Sequence, residues 1–102
     1  MDRFAALSDP TRRQIVELLG TGERTAGAIG ELFPISAPAV SQHLKALREA
    51  GLVRVRADGT RRIYSLDPTG LAEMEDWFAR IRSFWSDRLD ALERELNKED
   101  HK

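Results

Sequence analysis

The apolar period of this chain changes twice, and those two changes leave few folds open to it. Up to Gly51 the apolar residues return at helical spacing: Ile15, Leu18 and Leu19, then Ala28, Ile29 and Leu32, then Val40, Leu44 and Leu47. After Gly51, Val53-Arg54-Val55-Arg56 alternates as a strand does. Asp58-Gly59 supplies a two-residue hairpin turn, and the return strand to Leu66 carries Ile63 and Tyr64. Past Asp67-Pro68 helical spacing resumes and runs unbroken to about Leu96. Short helices, one hairpin and one long helix make the chain α+β, mostly α.

Local chemistry sets the boundaries. Asp9 can cap free amides ahead of Pro10, which fits a first helical turn because no amide donor is needed there. Thr25 and Ser36 are the next two caps, Gly20 and Gly22 end the first long helix, and Pro34 ends the following one. This predicts helices near residues 2–7, 9–19, 25–32, 37–50 and 68–96, with a hairpin over 52–66. Residues 97–102 are all polar and read as a frayed tail to a single domain over 1–96.

Length and composition exclude several classes of function. At 102 residues the chain fits one domain. No window offers the ~18 uncharged apolar residues that span a bilayer, and the first residues lack a signal peptide's basic and apolar regions, so a cytoplasmic protein is expected. Without cysteine there is no disulfide framework, thiolate metal site or thiol catalysis. Net charge is −1, yet residues 36–66 hold 6 basic and 2 acidic side chains while residues 67–102 hold 6 and 10. One basic segment in a nearly neutral chain can approach phosphates while the rest is repelled.

Two short helices joined by a tight turn, followed by an arginine-rich hairpin, describe a winged helix-turn-helix. In the second of these helices Val40, Leu44 and Leu47 point one way. Pro38, Gln42, Lys45 and Glu49 then face outward, with Ser41 on the flank. Ala37, Pro38 and Ala39 keep the helix's leading end small enough for a major groove ~12 Å wide. Gln42 can offer donor and acceptor together to an adenine edge, and Ser41 and Lys45 can reach bases or phosphates. His43 sits at the edge of the apolar stripe, where packing and DNA contact are both open to it. In the hairpin, Arg54 and Arg56 share one strand face and Arg61 and Arg62 follow the turn; all four suit phosphate contact, and a charged edge that resists sheet aggregation is the alternative.

The final helix carries Leu71, Met74, Phe78, Ile81, Trp85, Leu89, Leu92 and Leu96 in a stripe, widened by Trp77 and Phe84. The set spans an arc of about 140°, broader than the ~100° that covering one core requires. Two surfaces must therefore be buried: this chain's own core and, most simply, a second copy of the chain. The segment holding Phe4 and Leu7 is expected alongside.

These residues resemble the ArsR/SmtB family of bacterial winged-helix repressors. The resemblance runs through "FAALSDPTRRQIVELL", "ISAPAVSQHLKALREAGLVRVRADGTRRIYSL" and the tryptophan-bearing terminal helix. It implies a homodimer that binds double-stranded DNA at an inverted-repeat operator and represses by occluding a promoter. It also implies that Ser36, Ser41, Gln42, His43 and the tip arginines lie at or near the DNA.

Other functions fare worse. The only histidines are His43 and His101, and no serine stands in a recognisable catalytic motif, so no enzyme is expected. Asp87 and Asp90 read as a solvated face. A protein-interaction module is the runner-up, disfavoured by basic residues on both the helix face and the wing. No cofactor or metal is expected. The family's thiolate route needs cysteines that Thr25 to Phe33 lacks, its terminal-helix route needs histidines that Asp67 to Leu96 lacks, and His101 lies in the polar tail. The identity of any effector is open.

Overall fold

A computed structural model describes residues 2–100. In chain order the elements are α1 (Arg3–Ala6), α2 (Pro10–Gly20), β1 (Arg24–Thr25), α3 (Ala26–Leu32), α4 (Ala37–Glu49), β2 (Val53–Asp58), β3 (Arg61–Leu66) and α5 (Pro68–Asp100). They group into two compact units, residues 1–72 and 73–102, with α5 crossing the boundary.

In the first unit the predicted caps close their helices. The Asp9 carboxylate accepts from the amides of Thr11 (2.8 Å) and Arg12 (3.1 Å). Thr25 Oγ1 accepts from Ala28 at 3.1 Å and Ser36 Oγ from Ala39 at 3.2 Å. Gly51, at φ +75°, ends α4. Its amide donates to the Arg48 carbonyl and the Leu52 amide to the Leu47 carbonyl, both at 3.0 Å. This pair of bonds is the Schellman arrangement, and the positive φ it requires is strained for a residue with a Cβ. Directly beyond it Leu52 and Val53 turn inward. With Ile15, Ile29, Leu44 and Leu47 they are the largest fully buried side chains, so the core joins α2, α3, α4 and β2.

Three features depart from the sequence expectation. First, the sheet has three strands, ordered β1-β3-β2 and antiparallel throughout. β1 is only two residues long, Arg24 opposite Tyr64 and Thr25 opposite Ile63, too short to show a period. Second, the hairpin turn lies one residue later than Asp58-Gly59. Asp58 pairs with Arg61 in the ladder, which leaves Gly59 and Thr60 as the loop. Gly59 alone takes a positive φ, +63°, as a turn with glycine at its first central position requires. Third, α5 stays helical to Asp100, past the expected end near Leu96, with Lys98 and Glu95 3.9 Å apart on its last turns. His101 and Lys102 of the expected tail lie outside the described residues.

Candidate nucleic-acid interface

The apolar stripe of α4 is locked inward, with Val40, Leu44 and Leu47 all buried. Helical geometry then fixes what points out: Ser36, Pro38, Ser41, Gln42 and Lys45 are all exposed. The expected reading face is therefore presented as one surface, small at its leading end and polar behind. Lys45 Nζ stands 4.0 Å from Glu49 one turn on, but both side chains are more than half exposed. Such a pair contributes little and leaves the ammonium available to a phosphate.

His43 is different. It is half-buried, and its Nδ1 accepts a hydrogen bond from Arg12 Nε of α2 at 3.2 Å. Arg12 thus ties the recognition helix to α2, and the same residue's backbone amide caps onto Asp9. That amide is the main cause holding the Asp9 carboxyl below its ordinary value. Partial burial works against it; the Thr11 amide and the electrostatic influence of His43 and Arg12 work with it.

The four wing arginines do not form one set. Side chains of paired residues share a sheet face and alternate along each strand. The register puts Arg54, Arg56 and Arg61 on one face, while Arg62 falls on the other with Val55 and Tyr64. Arg56 pairs with Glu23 at 2.9 Å and Arg61 with Asp58 at 3.0 Å, whereas Arg54 and Arg62 make no ion pair among the described residues. Both pairs are solvent-exposed and so weak enough for a phosphate to replace. Arg62 also lines a groove shared with Ser41 of α4, which makes it the wing arginine adjoining the reading face. Sequence reasoning missed Arg12, Glu23 and Tyr64 as parts of this region. Arg12 and Glu23 act on partners 31 and 33 residues away, so no local pattern could announce them.

In the second unit Trp77, Phe78, Ile81, Phe84, Trp85, Leu89, Leu92 and Leu96 are all exposed. Trp77 meets Phe78 edge to face at 5.3 Å, Phe84 meets Trp85 likewise at 6.2 Å, and the Arg88 guanidinium lies 4.3 Å over the Phe84 ring. Met74 of the same stripe is 8% exposed. In the first unit Phe4 is exposed, and Leu7 and Leu71 are half-buried. Among the described residues no three histidine or acidic side chains cluster to hold a metal ion, and no helix is long and apolar enough to cross a membrane.

A family profile described as a helix-turn-helix domain matches residues 7–56. Over 86 residues the chain is 50% identical to the HTH-type transcriptional regulator Rv2034 of Mycobacterium tuberculosis, spanning 84% of this chain and 78% of that protein. It is 45% identical over 74 residues to the transcriptional repressor SdpR of Bacillus subtilis, spanning 72% and 82%. Among solved structures, the crystal structure of a "possible transcriptional regulator for arsenical resistance" is 48% identical with TM-score 0.73, covering 90% of this chain and 93% of that one. The homodimeric winged helix-turn-helix DNA-binding domain of a "possible ArsR-family transcriptional regulator" from Mycobacterium bovis, solved in solution, is 32% identical with TM-score 0.64, covering 78% and 73%.

Proposed function

This chain belongs to the ArsR family of winged helix-turn-helix transcriptional regulators, and on that premise we propose that it acts in the cytoplasm as a homodimeric repressor whose two copies of α4 read an inverted-repeat operator and so occlude a promoter. The observation that carries this reading is the exposed face of α4. Its small leading end can enter the major groove, and Gln42 stands where a bidentate contact to adenine is made. Ser36, Pro38, Ser41 and Lys45 supply close approach and phosphate or base contacts beside it.

The wing divides its work. Arg62, without an ion pair among the described residues and on the α4 side, is the first phosphate contact, and Arg54 is available on the opposite face. Arg56 and Arg61 join by exchanging an exposed carboxylate for a phosphate. His43 holds α4 against α2 through Arg12, setting the angle at which the helix meets DNA. The exposed stripe of α5, with Phe4 and Leu7, is the surface for the second copy. A two-fold dimer would set the reading helices about one DNA turn apart, ~34 Å. We assign the protein no catalytic step and no metal, so chelators and micromolar zinc are expected to leave DNA binding unchanged.

Selection of bound sequences from random duplex DNA tests the proposal. A palindrome with half-sites one helical turn apart is expected, with affinity falling steeply as salt rises and counterions are released. Enrichment of no sequence, with salt-independent retention, would favour the protein-interaction reading instead.

A further inference from the structure

Two glycines of α3 have no structural use where they stand. Gly27 and Gly30 lie inside a helix, where glycine weakens stability relative to alanine, and neither has a positive φ. A Cβ added at either would meet nothing within 4 Å. Neither backbone conformation nor close packing calls for glycine. What both do is border a cavity of about 430 Å³ formed by α3, α4 and β3.

The cavity has an apolar wall and a polar end. Ala26, Val40 and Leu44 give the apolar part. Tyr64 also lines it, at only 7% exposed, and its hydroxyl has no hydrogen-bond partner among the described residues. That hydroxyl keeps access to solvent and can donate to an occupant. Arg62, two residues away on the same sheet face and so ~7 Å along the strand, lines the cavity and makes no ion pair among the described residues. Glu31, exposed, also lines it and disfavours a second negative charge on any occupant.

We infer that this cavity binds a small organic monocarboxylate with an apolar body. The body packs on Val40, Leu44 and the bare face of α3, and the carboxylate accepts hydrogen bonds from the Tyr64 hydroxyl and the Arg62 guanidinium. Ser41 of the reading face lines the same space. An occupant therefore takes Arg62 away from phosphate and releases DNA, a consequence that rests on the proposed operator reading, whereas the binding itself does not.

The test uses isotope-labelled full-length protein titrated with naphthoate, with naphthalenemethanol and naphthylmethylamine as the neutral and cationic counterparts. Saturable amide shifts centred on Gly27, Gly30 and Tyr64 are expected for naphthoate. Binding should be weaker for the alcohol and weakest for the amine. Gly30→Leu, or Gly27→Leu should that variant fold poorly, fills the cavity with a good helix former and should weaken naphthoate roughly tenfold or more while thermal stability holds. Tyr64→Phe should weaken it about two- to tenfold, as expected for one lost hydrogen bond. Shifts that do not saturate, shifts centred elsewhere, indifference to the filled cavity, or an amine that binds as well as the carboxylate would overturn the site. Naphthoate that binds as expected yet leaves operator anisotropy unchanged would overturn only the coupling to DNA.

Discussion

Val40, Leu44 and Leu47 on α4 are at most 3% exposed, whereas Leu89, Leu92 and Leu96 on α5, apolar residues at similar helical spacing, are 52–59% exposed. The sequence pattern is nearly the same on both helices. What differs is whether the fold sets other apolar surface against it. On α4 the stripe joins the core shared with α2, α3 and β2. The α5 stripe has no such cover among the described residues, and a row of large apolar residues open to water marks an association surface. The outward face of α4 is thus free to serve DNA because its inward face is already satisfied. On α5 it is the apolar face to which we assign a partner.

Charging the α5 stripe should produce the largest effect. Replacing Trp85 and Leu92 together with glutamate should give monomers by light scattering, with helices and sheet of the first unit intact by amide NMR. Operator affinity should fall on the order of 100-fold, because two tethered half-site contacts become independent ones. A variant that stays dimeric would remove α5 as the assembly surface. The matching change on α4, Leu44→Ala, should cost ~2–5 kcal/mol in denaturant unfolding, from lost burial and a cavity, at any protein concentration. Leu89→Ala should instead cost stability that depends on protein concentration, since dimer stability and association are linked. Equal concentration dependence for the two variants would erase the contrast between the helices.

The same contrast explains what could be read from the sequence. Helix positions, caps and the inward face of α4 were legible because each depends on neighbours within about one turn: Asp9 on Thr11 and Arg12, Thr25 on Ala28, Ser36 on Ala39. The width of the α5 stripe was legible for the same reason. Strand β1 was not, because two residues carry no period and gain their state from pairing with Tyr64 and Ile63 far along the chain. Nor was the split among the wing arginines. Its ion pairs need the turn at Gly59-Thr60, which sets Asp58 opposite Arg61, and Glu23, which reaches Arg56 only once the sheet has formed.

Within the reading surface, two substitutions separate sequence reading from phosphate attraction. Gln42→Ala should cost roughly 1–3 kcal/mol on the selected operator and relax preference at one position of each half-site. Arg62→Ala should weaken all sequences alike and reduce the salt slope by about one per protomer. Arg56→Ala should do less, because its guanidinium already has a carboxylate partner in the free protein. Anisotropy titrations at several salt concentrations measure all three. If Gln42→Ala binds its operator as the parent does, the exposed face of α4 is not the one that reads bases.

The smallest expected effect lies at the cap that opens α2. Asp9→Ala removes the acceptor for the Thr11 and Arg12 amides and should cost about 1 kcal/mol at neutral pH, the usual worth of such a cap. Its pH dependence has a definite sign. The folded carboxyl is held below its ordinary value of 3.8, chiefly by the Arg12 amide, so the folded state favours the ionised form. That contribution is complete above the unfolded carboxyl's value and is lost as pH falls through the lower folded one. The stability gap between the parent protein and Asp9→Ala should accordingly be flat from neutral pH down to about 5 and close below about 4. Because Arg12 also donates to His43, Asp9→Ala should weaken operator binding slightly while leaving dimerisation through α5 untouched. A gap that widened on acidification would mean that the cap does not favour the charged carboxyl, and the link from α2 through Arg12 to the reading helix would lose its foundation.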